Sequence, residues 1–369
     1  MSKVLNHYQY LHSIPEPGFE EVKTSAYLAE KLTEAGFKVT RNLAGTTGLV
    51  AEYDSGVPGP VFGIRADMDA LTHIINGKKE FRHTCGHDAH SSMLLAAAEE
   101  ALASGIIKKG RFKAVFQPAE ELGAGALKIL ESGILEDVDY LLGMHIRPTQ
   151  ECPAGGAICE MRYSAGCQFR ARIKGKQAHG ARPHLGINPI DASTCAIAAV
   201  NAIHMDPRIP FSVKCTRFHA DSGVFNSVPE FADITFDMRA QDNPTMKEMR
   251  EKVIRAIENG AAAVGAKAEE FEFYTDFPAA EGFEPGFAKI VRESVAEVVG
   301  ECNIIPAFNT SGGEDFFCYP VKLSHLKVGF VGLGVGAEPG LHHQDMHFDP
   351  KYLENGVSIH CRVIEKMLG

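Results

Sequence analysis

The 369-residue chain has no apolar run approaching the ~20 residues of a membrane-spanning helix, so no membrane partner is expected. Residues 1–14 are charged and polar and lack a small-residue cleavage site, so no signal peptide is expected either. Positive charge is in deficit. The formal net charge of −10 argues against nucleic acid or an anionic lipid surface as a partner. A disulfide framework is missing too: the nine cysteines are odd in number and scattered, which points to reduced thiols and a cytoplasmic location. Repeats and low-complexity tracts are absent. Histidine, by contrast, is plentiful. Seven of the sixteen lie in two clusters, His83/His87/His90 and His325/His342/His343/His347, with His145 between them.

A chain of this length is too long for one small core and long enough for two domains. Residues 20–35 carry helical apolar spacing and stop at Gly36. Strand-like runs follow at 49–53 and 61–65, a buried helix at 89–104, a strand at 111–117, a helix at 123–132 and a strand at 140–146. This alternation predicts an α/β domain with a mainly parallel sheet flanked by helices. After about residue 163 the order becomes β-α-β-β-α-β, as in ferredoxin-like domains. From about residue 286 the α/β pattern resumes. The expected organisation is a catalytic domain, 1–163 and 277–369, interrupted by an inserted α+β domain at 164–276.

The densest chemistry is Arg82-His83-Thr84-Cys85-Gly86-His87-Asp88-Ala89-His90. A thiol and an imidazole two apart, on a turn before a helix, look like the start of a metal site. Either Asp67 or Asp88 is a candidate to hold the His87 ring by a hydrogen bond. Glu120 and Glu121 follow a strand that should be buried. Two carboxylates there suggest that one ligates and the other moves a proton, with roles that spacing leaves open. His145 closes another strand. In the stretch from Gly340 to His347, chemistry alone leaves open which histidine ligates. Gly312 and Gly313 allow close backbone approach to a ligand. His179 sits on a hairpin-like loop of the insert. Asn226 and Arg239 lie at strand edges, and an arginine there suits capture of a substrate carboxylate.

Three stretches resemble the metal-dependent amidohydrolases of the aminoacylase/carboxypeptidase group. They are Ile64–Leu71, Thr84–His90 and Phe116–Glu121. That group includes hippurate hydrolases, N-acyl-amino-acid amidohydrolases and auxin-conjugate hydrolases. The likeness runs on through Gly143–His145, Gly175–Pro183, Asn226–Pro229, Gly312–Phe316 and Leu341-His342, in order. It implies Cys85, His87, Glu121, His145 and His342 as ligands of two divalent ions, with Cys85 as a bridge. It implies Glu120 as general base, His179 as a group polarising the scissile carbonyl, and Asn226 and Arg239 as substrate contacts. It also implies an insert that acts as a lid and a dimerisation surface. The expected activity is hydrolysis of the amide bond of an N-acyl amino acid. The expected ion is zinc, with manganese, cobalt and nickel also compatible. A dipeptidase of the same chemistry, a thiol hydrolase with Cys85 as nucleophile and His87 as base, and a non-catalytic binding protein are the alternatives. The chain departs from the pattern at residues 72–80, which replace an acidic, glycine-rich stretch. It departs again at His343, a second candidate ligand beside His342.

Overall fold

A computed structural model describes residues 2–369. The described residues form two compact units: 2–162, 281–308 and 314–369, and 163–280 with 309–313.

The first unit is built on an eight-stranded sheet. Its central strands, Arg111–Gln117, Val61–Asp67, Tyr140–Pro148 and Lys327–Ala337, lie side by side and parallel. Lys38–Arg41 and Leu49–Asp54 continue it antiparallel on one side. Ala157–Ile158 and Ile304–Ile305 close the other. Val61–Asp67 is buried at every position, as expected of a strand covered on both faces. Arg111–Gln117 is buried almost throughout, although its alternating pattern suggests one open face. Its Lys113 is tolerated inside because Ile134 O (2.8 Å) and Asp137 (2.6 Å) accept from it. Helices Lys3–His12, Val22–Ala35, His87–Ala103, Pro285–Val299 and Leu353–Leu368 pack their apolar faces into one core with the sheet. The parallel strands all end on the same side, where ligands gather in sheets of this kind. Residues 67–69, 117–121 and 145 lie there.

The second unit is a four-stranded antiparallel sheet in the order Phe211–His219, Phe231–Ala240, Ala165–Lys174, Lys267–Phe277. Strict alternation of burial along Phe231–Ala240 places one face against helices Pro189–Asn201 and Asn243–Ala262. Both helices start from a side-chain cap, Asn188 onto Ile190 N–H and Asp242 onto Thr245 N–H, with proline in the first turn.

The division differs from the expected one in two respects. The last strand of the insert runs to Phe277, and Ala280 N–H donates to Tyr163 O, so the unit extends to 280. Residues 309–313 also join it, held by Ser164 N–H and hydroxyl on Thr310 O. Sequence periodicity does not register a short segment that returns to an earlier unit. The atypical 72–80 stretch proves to be a hairpin, Leu71–Ile75 against Lys78–Arg82. Its turn is Asn76-Gly77, both at positive φ as a tight two-residue turn requires.

His360 is a core residue whose pKa is pushed down to about 3, by burial first and by His90 second. The unfolded chain therefore binds this proton from about pH 6.5 downward while the folded chain refuses it. Stability falls as pH drops through that window, by about 1.4 kcal/mol per unit. His360→Leu is expected to narrow the loss between pH 7 and pH 5 by about 2 kcal/mol, as read from denaturant unfolding at the two pH values. An equal loss in both proteins would refute the assignment.

Candidate active site

Gly86 starts the site. It sits at φ +90° as the residue before helix His87–Ala103, and a Cβ there would lie 2.3 Å from Ile146 Cδ1. Any other residue would be strained at this φ and would have to push the Ile146 side chain aside. The turn at Gly86 leaves Cys85 just outside the helix and puts His87 in its first turn, not on the preceding loop as the sequence suggests. Cys85 Sγ lies 3.3 Å from His145 Nε2 and 3.3 Å from His342 Nε2. His342 Nε2 is also 3.3 Å from Glu121 Oε1.

Of the three-residue groups of possible ligands among the described residues, two include Cys85: Cys85, His87 and His145, and Cys85, Glu121 and His342. Within each, one donor atom per residue lies within 4.8 Å of the others. Both groups contain the same thiol. His145 Nδ1 is 2.6 Å from Ile146 O, which places its proton on Nδ1 and leaves the Nε2 lone pair toward the thiol. His87 Nδ1 is 3.0 Å from Asp69, so its Nε2 is likewise the free lone pair. His87 Nε2 and Glu121 Oε1 are buried and have no hydrogen-bond partner. Such atoms are costly unless something binds them.

The charge balance agrees. Asp67, Asp69, Glu120, Glu121, Glu314 and Asp315 surround the site with Arg65 as the buried guanidinium among them. His342 is pushed up to about 10 by the Cys85 thiol and the Glu121 carboxylate, each 3.3 Å from its Nε2. Burial works against a charge on His87, yet Asp67 and Cys85 raise its pKa well above the ordinary value. Orphaned donors in an excess of negative charge fit divalent cations.

The ring of His87 is held by Asp69, not by Asp67 or Asp88 as expected. Asp69 also accepts from the N–H groups of Glu120 (3.2 Å) and Glu121 (3.1 Å), so one carboxylate ties the His87 ring to the Glu120–Glu121 turn. Asp88 points from the first helical turn to His12 Nδ1, at 2.6 Å. Asp67 accepts from Arg65 (2.6 Å) and faces His90 Nδ1 (2.6 Å). Asp69 was within reach of sequence reasoning: it lies two residues beyond Asp67, on the same side of an extended chain.

The turn carrying the glutamates is strained. Ala119 adopts φ +51°, and its N–H donates to the buried Glu21 carboxylate at 2.9 Å. His342 adopts φ +67°, held by its N–H on Thr84 O at 2.8 Å. Left-handed conformations at non-glycine residues persist where surrounding contacts enforce them, and they concentrate at functional sites. His342 and His343 are both exposed, but His343 Nδ1 accepts from Asp345 N–H whereas His342 Nε2 lies beside the thiol, so His342 is the histidine that reaches it. Burial raises the Glu120 carboxyl well above its ordinary range, and the Glu314, Glu121 and Asp315 charges add to this. Glu121 is held low, because His342 and His87 outweigh its burial. The two neighbouring carboxyls are thus pushed apart, as a proton-moving group and a ligand would be.

The remaining candidates belong to the second unit. His179 pairs across to Ser227 in a short two-stranded ribbon, and Gly180 N–H donates to Asn226 O. Ala181 N–H donates to His179 Nδ1 at 3.0 Å, so in the neutral ring the proton sits on Nε2, on an exposed edge. Arg239 is already engaged by Asp237 through two bonds of 3.0 Å each, so a substrate carboxylate there would compete with Asp237. Gly313 packs against the Phe277 ring, 2.8 Å from where a Cβ would sit, whereas a Cβ at Gly312 would make only ordinary contacts with Thr310 and Tyr163.

Cys85→Ser is expected to lower bound metal, because the thiolate belongs to both groups and an alcohol is a much poorer ligand. Metal analysis after gel filtration checks it, and unchanged stoichiometry would make Cys85 a packing residue.

A family model described as Peptidase family M20/M25/M40 matches residues 63–366. The chain is 29% identical to an N-acetyl-L-cysteine deacetylase of Bacillus subtilis (strain 168) over 351 residues, 92% of this chain and 82% of that one. It is 33% identical to a hippurate hydrolase of Campylobacter jejuni over 265 residues, 69% of this chain and 68% of that one. The crystal structure of the Bacillus subtilis YxeP protein, described as a dinuclear metal binding peptidase from the M20 family, superposes with a TM-score of 0.80. It is 27% identical, covering 99% of this chain and 97% of the other.

Proposed function

The chain belongs to peptidase family M20/M25/M40, and from that premise we propose that it is a metal-dependent amidohydrolase of N-acyl amino acids, releasing a carboxylic acid and a free amino acid. The observation that carries this reading is the pair of donor groups sharing Cys85 Sγ, with Glu120 beside them. The site takes two divalent ions, one per group. Thiolate and imidazole donors favour zinc. When bound, the ions supply Lewis acidity and bring the pKa of a water toward neutrality.

The protein groups do the rest. Glu120 takes the proton of the attacking water and passes it to the leaving amine. Asp69 keeps that base and the His87 ring in fixed relation. His179 donates from Nε2 to the carbonyl oxygen as it gains negative charge. Asn226 and Arg239 contact the substrate. The second unit serves as lid and as the surface of a homodimer, along the exposed Phe211–His219 edge of its sheet. A cytoplasmic location suits nine free cysteines, one of which must stay reduced to ligate. Among the described residues no helix is long and apolar enough to cross a membrane. Against the thiol-hydrolase alternative, Cys85 is buried and has three imidazoles and the Glu121 carboxylate gathered around it, a ligand set rather than one base beside a nucleophile.

The test is a panel of N-acyl amino acids and dipeptides on chelator-stripped protein repleted with one metal at a time. N-acyl amino acids are expected to exceed dipeptides in kcat/KM by about tenfold or more, since one lost substrate contact is worth roughly 1–3 kcal/mol. The reverse order makes the protein a dipeptidase. Full turnover by stripped protein overturns the metal-dependent reading.

A further inference from the structure

His90 lies one helical turn beyond His87, and its donor atoms fall near those of Asp67 and His87. It looks like a ligand, but both of its nitrogens are already used. Ile146 N–H donates to His90 Nε2 at 2.9 Å. An N–H can only donate, so Nε2 is unprotonated and the ring proton sits on Nδ1. That proton points at Asp67, 2.6 Å away, and Asp67 is itself pinned by Arg65. The ring is 1% exposed, and no lone pair is left for a cation.

The Ile146 contact replaces a missing piece of sheet. Val61–Asp67 pairs with Tyr140–Pro148 only as far as Arg65 opposite Gly143. Beyond that point His90 supplies the acceptor for the Ile146 N–H. The carbonyl of the same residue accepts the Nδ1 proton of His145. The His90 ring also lies against the His145 ring, with centroids 4.3 Å apart. An unbroken chain of contacts therefore runs from Arg65 through Asp67, His90 and Ile146 to the tautomer and orientation of His145.

We propose that His90 is a positioning residue of the metal centre: without ligating, it holds His145 through Ile146 and so sets the affinity for the ion of the Cys85, His87 and His145 group, leaving the ion of the Cys85, Glu121 and His342 group largely unaffected. The proposal rests on the two-ion reading above.

The experiment titrates metal-free protein with cobalt(II) alone. Calorimetry gives the two affinities, and the cobalt–thiolate absorption reports Cys85. Wild type is expected to bind two ions; a single ion would refute the two-ion reading itself, and with it this inference. Given two, His90→Asn keeps a donor for Asp67 but is too short to accept from Ile146. It is expected to weaken one ion by about 10–100-fold, the usual scale for losing a group that orients a ligand, and to leave the other within about twofold. His90→Gln places its amide oxygen near the former Nε2 and is expected to recover most of the lost affinity. Thermal unfolding of the metal-free variants separates this from general loosening. Unchanged affinities, an equal fall in both, or loss of one ion in the Gln variant as in the Asn variant would each overturn the proposal, the last by making His90 a ligand. Should the Asn variant fail to fold, His90→Ser, which is also too short to accept from Ile146, takes its place in the same titrations, and the same outcomes decide.

Discussion

Glu120→Gln is expected to lower kcat by about 10²–10⁴ while the protein retains its metal, the range for removing a positioned proton-transfer group. Glutamine has the same shape and can still accept a hydrogen bond, but it cannot take a proton from water. Its backbone N–H would keep its bond to Asp69, so the turn should survive. Glu121→Gln is expected to act differently. Glu121 Oε1 is the buried oxygen without a hydrogen-bond partner that faces His342 Nε2, so the neutral amide should empty part of the site. Metal analysis of the two variants beside their kcat values makes the comparison. If Glu120→Gln is the variant that loses metal, the roles of the pair are reversed.

His179→Ala is expected to reduce kcat by about 10²–10³, the cost of one donor to a developing oxyanion, with metal content and KM nearly unchanged. The motive is the tautomer. Ala181 N–H occupies Nδ1, which leaves Nε2–H as an outward donor. A donor of that kind contributes most when charge accumulates on the substrate oxygen, so kcat should carry the loss. A near-normal kcat would return His179 to the class of ordinary exposed loop histidines. A loss of metal would make it a ligand.

Local pattern reached far in this chain. The alternation of strands and helices and the β-α-β-β-α-β insert are each encoded within a few dozen residues, whereas the Asn76-Gly77 hairpin went unread although its turn signal is local. The helix after Cys85 was legible from its apolar run, and the run of thiol, glycine and imidazole announced a metal site by chemistry alone. Pattern fell short wherever a side chain's partner comes from a distant element. Three buried-side acids, Asp67, Asp69 and Asp88, stand within reach of His87 in sequence terms. Which one meets the ring depends on how the helix sits against the strand ends, and in the folded chain it is Asp69, at 3.0 Å. Arg65 reaches Glu314 and Asp315, some 250 residues on, an association that no spacing rule contains.

The sequence by itself determined the residue types of the site, the α/β and ferredoxin-like periodicities and the order of the motifs, because periodicity and donor chemistry are local properties. The motif resemblance already implied Cys85 as a bridge and His342 as a ligand; only the tertiary structure decided that Asp69 holds His87, that His90 is fully bonded, and that 309–313 returns to the second unit. Each of these is a contact between segments far apart in the chain, and such contacts are chosen by packing and by the need to satisfy buried polar atoms, which no local stretch of sequence records.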